Sequence, residues 1–245
     1  HGTEGSELTN VTIRNCVVSD WDGISSTQGN IYFQHVDNSY LYNIESNSSD
    51  ASGIYLDSSD NIVLSNINLS NNYNNLYLSN SDSAIVNNLK SYGNGGYGIR
   101  VDGNNSVFSH FNISSSSGSS SGLYMNSGTG NEFRNFSLDN AYSVLVNSDN
   151  NNFYSFNVNS SDDYGIIVYG GSNHFESFNV SYNSIDGISL LGIGNVIEDF
   201  FSISNMGDGI DFTGGSSNII ANFSVLNNDY GVSFDGDSAS NIVRF

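Results

Sequence analysis

The chain has 245 residues, of which 37% are hydrophobic, enough for a lean core in one large domain or two smaller ones. It carries 25 Asp and Glu against 5 Lys and Arg, a formal net charge of −20. Such a charge repels nucleic-acid phosphates and attracts cations. The single cysteine, Cys16, excludes an internal disulfide. No run of about 18 apolar residues is present, so we expect neither a membrane span nor a nucleic-acid partner.

A motif of the form Gly-apolar-x-apolar recurs along the chain at intervals of 21 to 24 residues, after a first interval of 30. In chain order, the first residues of the motif are Gly23, Gly53, Asn75, Gly98, Gly122, Ser143, Gly165, Gly187, Gly209 and Gly231. About half a period later comes Asn or Ser, followed by apolar-x-x-apolar-x-apolar, as in Phe175, Phe178 and Val180. Both segments are short, alternate in polarity and are separated by Gly, Asn, Asp and Ser, which predicts short strands joined by turns.

A repeat of about 22 residues made of short strands can bury its apolar side chains only by stacking on its neighbours. The sequence therefore predicts an all-β fold, a parallel β-solenoid of about ten coils lying about 4.8 Å apart. We expect one domain over residues 1–245, which is either a fragment or an open-ended subunit.

Stacked coils should align like residues in columns. The expected internal aromatic ladder consists of Phe111, Phe136, Phe156, Phe178 and Phe223, with Phe200 or Phe201 in the coil between the last two. Cys16 begins the same column and is expected to fill core space rather than to act as a nucleophile. A column of turn residues is expected to adopt the left-handed conformation and to hydrogen-bond from coil to coil. It comprises Asn61, Asn105, Asn131, Asn151, Asn173, Asn195, Asn218 and Asn241.

These repeats resemble the right-handed parallel β-helix repeat family, whose coils read like "GIxL…Nxϕ…N". The superfamily includes pectate lyases, polygalacturonases, phage tailspikes and many bacterial and archaeal surface proteins. The resemblance covers nearly the whole chain from about Asn10. It implies the right-handed fold but no single activity. The Ser-, Asn- and Tyr-rich, Lys-poor composition is most similar to non-enzymatic cell-surface β-helix proteins of archaea and bacteria.

No complete catalytic constellation accompanies this resemblance. A polygalacturonase-like site implies Asn-x-Asp, Asp-Asp, Gly-His-Gly and Arg-x-Lys in successive coils, and only the Asp162–Asp163 pair is present. A pectate-lyase-like site implies carboxylate-bound Ca²⁺ and an Arg base, whereas the arginines here are widely scattered. Asp163, Asp186 and Asp208 are the nearest candidates for a catalytic carboxylate pair. Enzyme activity is left open at this point, with its absence favoured.

Metal and modification sites are equally sparse in the sequence. Asp235 and Asp237 in "DGDSAS" offer hard oxygen ligands but lack the spacing of a calcium loop. We expect no dedicated metal site and no cofactor, and only weak Ca²⁺ binding through the net charge. Candidate N-glycosylation sites, for a chain secreted by a glycosylating cell, are the Asn-x-Ser/Thr residues Asn68, Asn112, Asn135, Asn179 and Asn222.

An outward-facing stripe is predicted from the repeat itself. In each "GIxL" segment the apolar neighbours point inward, so that x points outward. Read through successive coils, x is Tyr55, Tyr77, Arg100, Tyr124, Leu145 and Ile167. A contiguous aromatic and aliphatic stripe on a surface is typical of a contact site, so we expect this stripe to be an interface.

Together these features favour a non-enzymatic extracellular structural protein, secreted or at the cell surface. It would build a surface layer, sheath or filament through end-to-end and lateral contacts with itself. One alternative is a carbohydrate-active or carbohydrate-binding β-helix, such as a polysaccharide lyase, a hydrolase or a tailspike-like module, with glycans as partners. Another is an adhesin whose partner lies on a different cell.

Overall fold

The computed structural model describes residues 1–21, 28–114, 120–139, 141, 143–235 and 238–245. These residues form strands and turns, without a helix. Two large parallel sheets, one of ten strands and one of eleven, extend through successive coils, and the chain alternates between them. The prediction of an all-β parallel solenoid with about 22 residues per coil is therefore confirmed.

The strands follow one another in chain order within each sheet. The ten-stranded sheet consists of β3 (Gly29–Gln34), β6 (Ser52–Asp57), β8 (Asn74–Ser79), β10 (Ile99–Asp102), β12 (Leu123–Met125), β14 (Val144–Val146), β16 (Ile166–Val168), β18 (Ile188–Leu190), β20 (Ile210–Thr213) and β22 (Val232–Asp235). The eleven-stranded sheet consists of β2 (Thr12–Ser19), β5 (Tyr40–Asn47), β7 (Val63–Ser70), β9 (Ile85–Tyr92), β11 (Val107–Ser114), β13 (Glu132–Asp139), β15 (Asn152–Asn159), β17 (His174–Ser181), β19 (Val196–Ile203), β21 (Ile219–Leu226) and β23 (Ile242–Arg244). A separate parallel pair is formed by β1 (Leu8–Thr9) and β4 (Val36–Asp37).

The eight-residue strands contain a bend at their fourth residue. In β15 this residue is Ser155, whose φ of 54° is left-handed and which is skipped in the pairing with the next coil. A left-handed residue interrupts the strict alternation of side chains. Phe153, Phe156 and Val158 therefore all point into the core. The bend explains why the apolar spacing in the sequence is apolar-x-x-apolar-x-apolar rather than a regular alternation.

The internal aromatic ladder is confirmed. Phe111, Phe136, Phe156, Phe178, Phe200 and Phe223 stack with ring centroids 4.6 to 5.5 Å apart. Phe200 is the buried member of its coil, whereas Phe201 is 50% exposed. A second ladder runs beside the first and consists of Phe108, Phe133, Phe153 and Phe175. Cys16 pairs in register with Ile44 and packs partly buried against the core, as a filler should.

A buried column of asparagine amides links successive coils. The backbone N–H of Asn151 donates to Oδ1 of Asn173 at 2.9 Å, and that of Asn173 donates to Oδ1 of Asn195 at 2.9 Å. The side-chain amide of Asn173 donates to the carbonyl of Ser148 at 2.9 Å. These amides are essentially inaccessible to water, so their mutual hydrogen bonds replace hydration that burial removes.

The conformation expected for this column is wrong for part of it. Asn61 and Asn105 are left-handed, with φ of 56° and 54°. From Asn131 onward the left-handed residue is instead the one before the asparagine, as Ser172 with φ of 56° shows in front of Asn173. The two kinds of asparagine occupy neighbouring turn positions. One adopts the left-handed backbone conformation, and the other places its side-chain amide in the buried column.

Candidate functional site

Two of the three candidate catalytic carboxylates, those of Asp186 and Asp208, lie in a hydrogen-bonded column at a turn. The backbone N–H of Asp208 donates to Oδ1 of Asp186 at 2.7 Å, and that of Tyr230 donates to Oδ1 of Asp208 at 3.2 Å. Ser233 donates through its hydroxyl to Oδ2 of Asp208. Burial raises the pKa of Asp186 above its usual range, while the hydrogen bond from Asp208 lowers it. Asp163, one coil before Asp186, is half-buried.

Distance alone would allow a catalytic pair here. Coils lie about 4.8 Å apart, and the two carboxyl groups of a retaining glycosidase lie about 5 to 5.5 Å apart. The hydrogen bonding argues against a catalytic pair, because the carboxylates of Asp186 and Asp208 accept hydrogen bonds from backbone N–H groups of the next coil. The same arrangement occurs at another turn, where the N–H of Asp60 donates to Asp37 and that of Asp82 to Asp60, both at 2.8 Å. This recurrence indicates an inter-coil structural role for the carboxylates.

The outward stripe begins with a stack of tyrosine rings on the ten-stranded sheet. Tyr32 and Tyr55 have ring centroids 5.1 Å apart, and Tyr55 and Tyr77 have centroids 4.8 Å apart. Tyr55 lies outside the internal hydrophobic cluster, yet it is only 4% exposed because its neighbours cover both ring faces. The faces of these rings are thus engaged with one another.

A second outward column, two residues further along each strand, binds the tyrosine hydroxyls. Tyr32 donates to Oδ2 of Asp57 at 3.1 Å, and Tyr77 donates to Oδ2 of Asp102 at 3.0 Å. Burial, together with the nearby carboxylates, raises the pKa of Tyr32 and of Tyr77 to about 12. Both phenols therefore stay protonated near neutral pH and act as hydrogen-bond donors. Neither is suited to be the general base that a lyase reaction would need.

Arg100 forms the centre of a compact group with aromatic and acidic neighbours. Its guanidinium carbon lies 4.5 Å from the ring centre of Tyr77, and 5.6 Å from those of Tyr97 and of Tyr124. Its Nε and Nη2 donate to Oδ2 of Asp102 at 3.1 and 2.8 Å. The other oxygen, Oδ1 of Asp102, is buried without a hydrogen-bond partner. We call these residues the Arg100 cluster.

The middle coils of the same face carry apolar side chains, with one polar residue among them in each column. Leu145 and Ile167 continue the outward stripe, and Tyr169 and Leu191 continue the second column beside it. Tyr169 is 54% exposed, and the other three side chains are half-buried. The two columns thus change from hydrogen-bonded tyrosines and acids in the early coils to an apolar patch of four residues in the middle coils. We call it the lateral patch.

The remaining predicted sites are placed as follows. Asp235 is exposed at the end of β22, while Asp237 lies outside the described residues. Among the sequons, Asn68 is half-buried and its Oδ1 is enclosed without a hydrogen-bond partner. The exposed sequon residues are Asn112, Asn135, Asn179 and Asn222. Occupancy of these sites by glycans stays a prediction, as does binding of Ca²⁺.

The sequence predicts the outward stripe but not all of the residues that contact it. Asp57 and Tyr97 were not singled out, although Asp57 carried a usable signal. Asp57 and Asp102 each follow an outward tyrosine or arginine by two residues, and residues two apart on a strand lie on the same face. Tyr97 lies in a turn, for which the strand periodicity makes no prediction. The described part of the chain also contains no helix of the length and apolarity that crossing a membrane requires.

Three solved structures share this architecture. The A-module of the Azotobacter vinelandii mannuronan C-5 epimerase AlgE4 has a TM-score of 0.69 at 12% identity, with 96% of this chain and 75% of that one covered. A tailspike protein of E. coli bacteriophage HK620 in complex with a pentasaccharide has a TM-score of 0.65 at 10% identity, covering 95% and 57%. The periplasmic alginate epimerase AlgG has a TM-score of 0.55 at 11% identity, covering 97% and 61%.

At these identities the likeness concerns the fold, and the chain spans only about three-fifths of the length of the tailspike and of AlgG. The neighbours named here are carbohydrate-active or carbohydrate-binding β-helices. No curated protein is significantly similar in sequence. A family model described as "Right handed beta helix region" matches residues 2–138 and 142–244. The match takes in nearly the whole chain, and the protein therefore belongs to the right-handed β-helix family.

Proposed function

We propose that this protein is a non-catalytic, extracellular structural β-helix, a building block of a cell-surface layer, sheath or filament that associates laterally with copies of itself. The observation that carries the proposal is the lateral patch of Leu145, Ile167, Tyr169 and Leu191. Apolar side chains that are contiguous over three coils are typical of a contact surface. The use of Asp186 and Asp208 as inter-coil hydrogen-bond acceptors supports the non-catalytic part.

A second copy is the occupant that best fits this patch. The side chains stand on a parallel sheet whose rows repeat at the coil spacing of about 4.8 Å, and another copy offers rows with the same spacing. Apolar contact also suits a partner with the same charge, because it needs no complementary ions. With a net charge of −20 on each chain, repulsion opposes association at low salt and is screened as ionic strength rises.

Self-association should therefore depend on the lateral patch and increase with salt. The unglycosylated chain is expected to form dimers or longer assemblies in sedimentation-velocity experiments at physiological ionic strength. The double variant Leu145→Asp/Ile167→Asp should weaken association by at least about tenfold, because two charges would have to be desolvated in the contact. Circular dichroism confirms that each variant is folded.

The matched control adds the same two charges on adjacent coils of the other sheet. Asn157 and Asn179 are exposed and pair in register, as do Leu145 and Ile167. Asn157→Asp/Asn179→Asp should associate like the wild-type chain. If the wild-type chain stays monomeric at all concentrations and salt levels, the proposal is wrong. If both double variants lose self-association to the same extent, the added net charge rather than the lateral patch is the cause.

A second candidate function, binding of a polysaccharide without cleavage, is favoured by the Arg100 cluster. Aromatic rings and a guanidinium group are groups that hold a sugar and its hydroxyls in a fixed orientation. They lie on the ten-stranded sheet among outward side chains. The phenols of Tyr32 and Tyr77, protonated at neutral pH, favour binding over proton abstraction.

Affinity electrophoresis through gels that contain soluble polysaccharides tests this candidate. A bound polysaccharide should retard the wild-type chain, and Arg100→Met or Tyr97→Ala should reduce the apparent affinity at least about tenfold. Arg134→Met, a change at an arginine exposed on the other sheet, should leave retardation unchanged. Absence of retardation over neutral and acidic polysaccharides would reject the candidate. Release of new reducing ends would instead indicate catalysis.

A further inference from the structure

An imidazole and two carboxylates meet on the outer face of the eleven-stranded sheet. His174 and Glu176 lie two residues apart on β17, on either side of buried Phe175, so both point outward. Glu198 lies on β19, in the next coil, where it pairs directly with Glu176. We call His174, Glu176 and Glu198 the His–Glu cluster. It lies on the sheet opposite to the one that carries the lateral patch and the Arg100 cluster.

The donor atoms of this cluster converge on one point. Nε2 of His174 lies 2.9 Å from Oε1 of Glu198 and 4.0 Å from Oε2 of Glu176. One donor atom from each residue lies within 4.8 Å of the other two. Bonds of about 2.0 to 2.2 Å in a tetrahedral zinc site place the ligand atoms roughly 3.3 to 3.6 Å apart. The observed separations lie on both sides of that range, so small side-chain rotations suffice.

The surroundings hold the imidazole in place and leave one side open. The ring of Tyr154 meets that of His174 edge-on, with centroids 5.6 Å apart. The side chains of His174, Glu176 and Glu198 are 29%, 39% and 34% exposed. Three ligands that are partly shielded and face solvent on one side leave room for water in a fourth coordination position.

The pairing of the two glutamates needs a counter-charge. Like charges directly opposite each other on neighbouring strands are destabilising, and the register places Glu176 and Glu198 in that relation. The contacts of the described residues bring one basic side chain to this pair, His174. Arg134, in the same column two coils earlier, is paired with Glu132. A neutral or singly charged imidazole does not balance two carboxylates, whereas a divalent cation does.

We propose that the His–Glu cluster binds a divalent first-row transition metal ion, with Zn²⁺ as the representative. His174 Nε2 and one oxygen each from Glu176 and Glu198 are the ligands. Imidazole and carboxylate together suit this class of ion, whereas Ca²⁺ takes six to eight oxygen ligands. The bound ion joins two consecutive coils and relieves the repulsion between the glutamates. The proposal is independent of lateral association and of glycan binding.

Calorimetric titration of the tag-free, chelator-treated full chain with ZnCl₂ tests the proposal. The wild-type chain should bind one equivalent of Zn²⁺, and an excess of Ca²⁺ should not displace it. His174→Ala, Glu176→Gln and Glu198→Gln should each weaken binding by at least the roughly 10- to 100-fold that loss of an outer-shell partner costs. The glutamine variants keep side-chain shape and remove one negative charge, so the coils should stay folded.

Two controls separate this site from general affinity of an acidic surface. His110→Asn changes an exposed histidine at another bend, and Glu45→Gln changes an exposed glutamate in an early coil. Both should bind Zn²⁺ like the wild-type chain. Glu176→Gln is the decisive variant, because a simple His174–Glu198 ion pair would not need Glu176. Undiminished binding by Glu176→Gln, displacement by Ca²⁺, or no binding by the wild-type chain would each overturn the proposal.

Discussion

Replacing Phe156 by alanine is expected to lower the free energy of unfolding by about 3 to 5 kcal/mol, the usual cost of removing a buried aromatic ring. Phe156 is 1% exposed and stacks on Phe136 and on Phe178, with centroids 4.6 Å away in each case. Its loss leaves a cavity between two rings whose positions are fixed by coil pairing, so the surrounding structure can collapse only partly. The stacking energy between the rings is lost as well.

The matched control is Phe201→Ala. Phe201 lies on β19 next to buried Phe200, but its own side chain points outward and is 50% exposed. Its removal should change stability by no more than about 0.5 kcal/mol. Unfolding in guanidinium chloride, monitored by circular dichroism, gives the midpoint concentration of each variant, and the two variants have equal chain length. Equal shifts for both variants would contradict the assignment of Phe156 to a close-packed internal column.

The fold could be predicted because stacking turns a one-dimensional period into columns. An interval of 22 residues between Phe156 and Phe178 already implies that the two rings are neighbours, and they are. The repeat length alone does not predict whether Phe200 or Phe201 points into the core. This depends on which residue follows the left-handed bend, here Asp199 with φ of 56°. Because the chain is rich in Asn, Ser and Asp, all of which occur in this conformation here, the sequence does not show which of them forms the bend.

The surface was harder to predict than the core, since its properties depend on contacts across coils. Tyr55 points outward as the pattern requires, yet neighbouring tyrosines in the same column enclose it. Asp186 has the chemistry of a catalytic acid, but the next coil supplies a backbone donor to its carboxylate. The His–Glu cluster arises only when Glu176 and Glu198 are placed in register, which requires the coil length to be known at that point.

Replacing Gly192 by alanine is expected to destabilise the fold by about 3 kcal/mol or more, at or above the upper end for overpacking. A Cβ atom at this position would lie 1.9 Å from the carbonyl oxygen of Gly170 in the preceding coil and 2.8 Å from its carbonyl carbon. These are backbone atoms, so no side-chain rotation can relieve the contact. The two coils would have to move apart.

The damage should extend to the buried amide column. The carbonyl of Gly170 accepts a hydrogen bond from the side-chain amide of Asn195 at 3.0 Å, and the new methyl group would also lie 2.9 Å from that nitrogen. Moving the carbonyl leaves a buried donor without a partner, at about 1 to 3 kcal/mol. Amide hydrogen exchange should therefore accelerate in the coils on both sides of Gly192.

Gly95→Ala is the control for this change. A Cβ atom on Gly95 would have its nearest neighbour, Cδ2 of Tyr73, at 3.6 Å, an ordinary contact. Alanine also reduces the conformational freedom of the unfolded chain, so its effect should lie within about 1 kcal/mol of zero. Similar losses at Gly95 and Gly192 would mean that coil separation tolerates a methyl group. The close approach of neighbouring backbones would then not be what requires glycine at position 192.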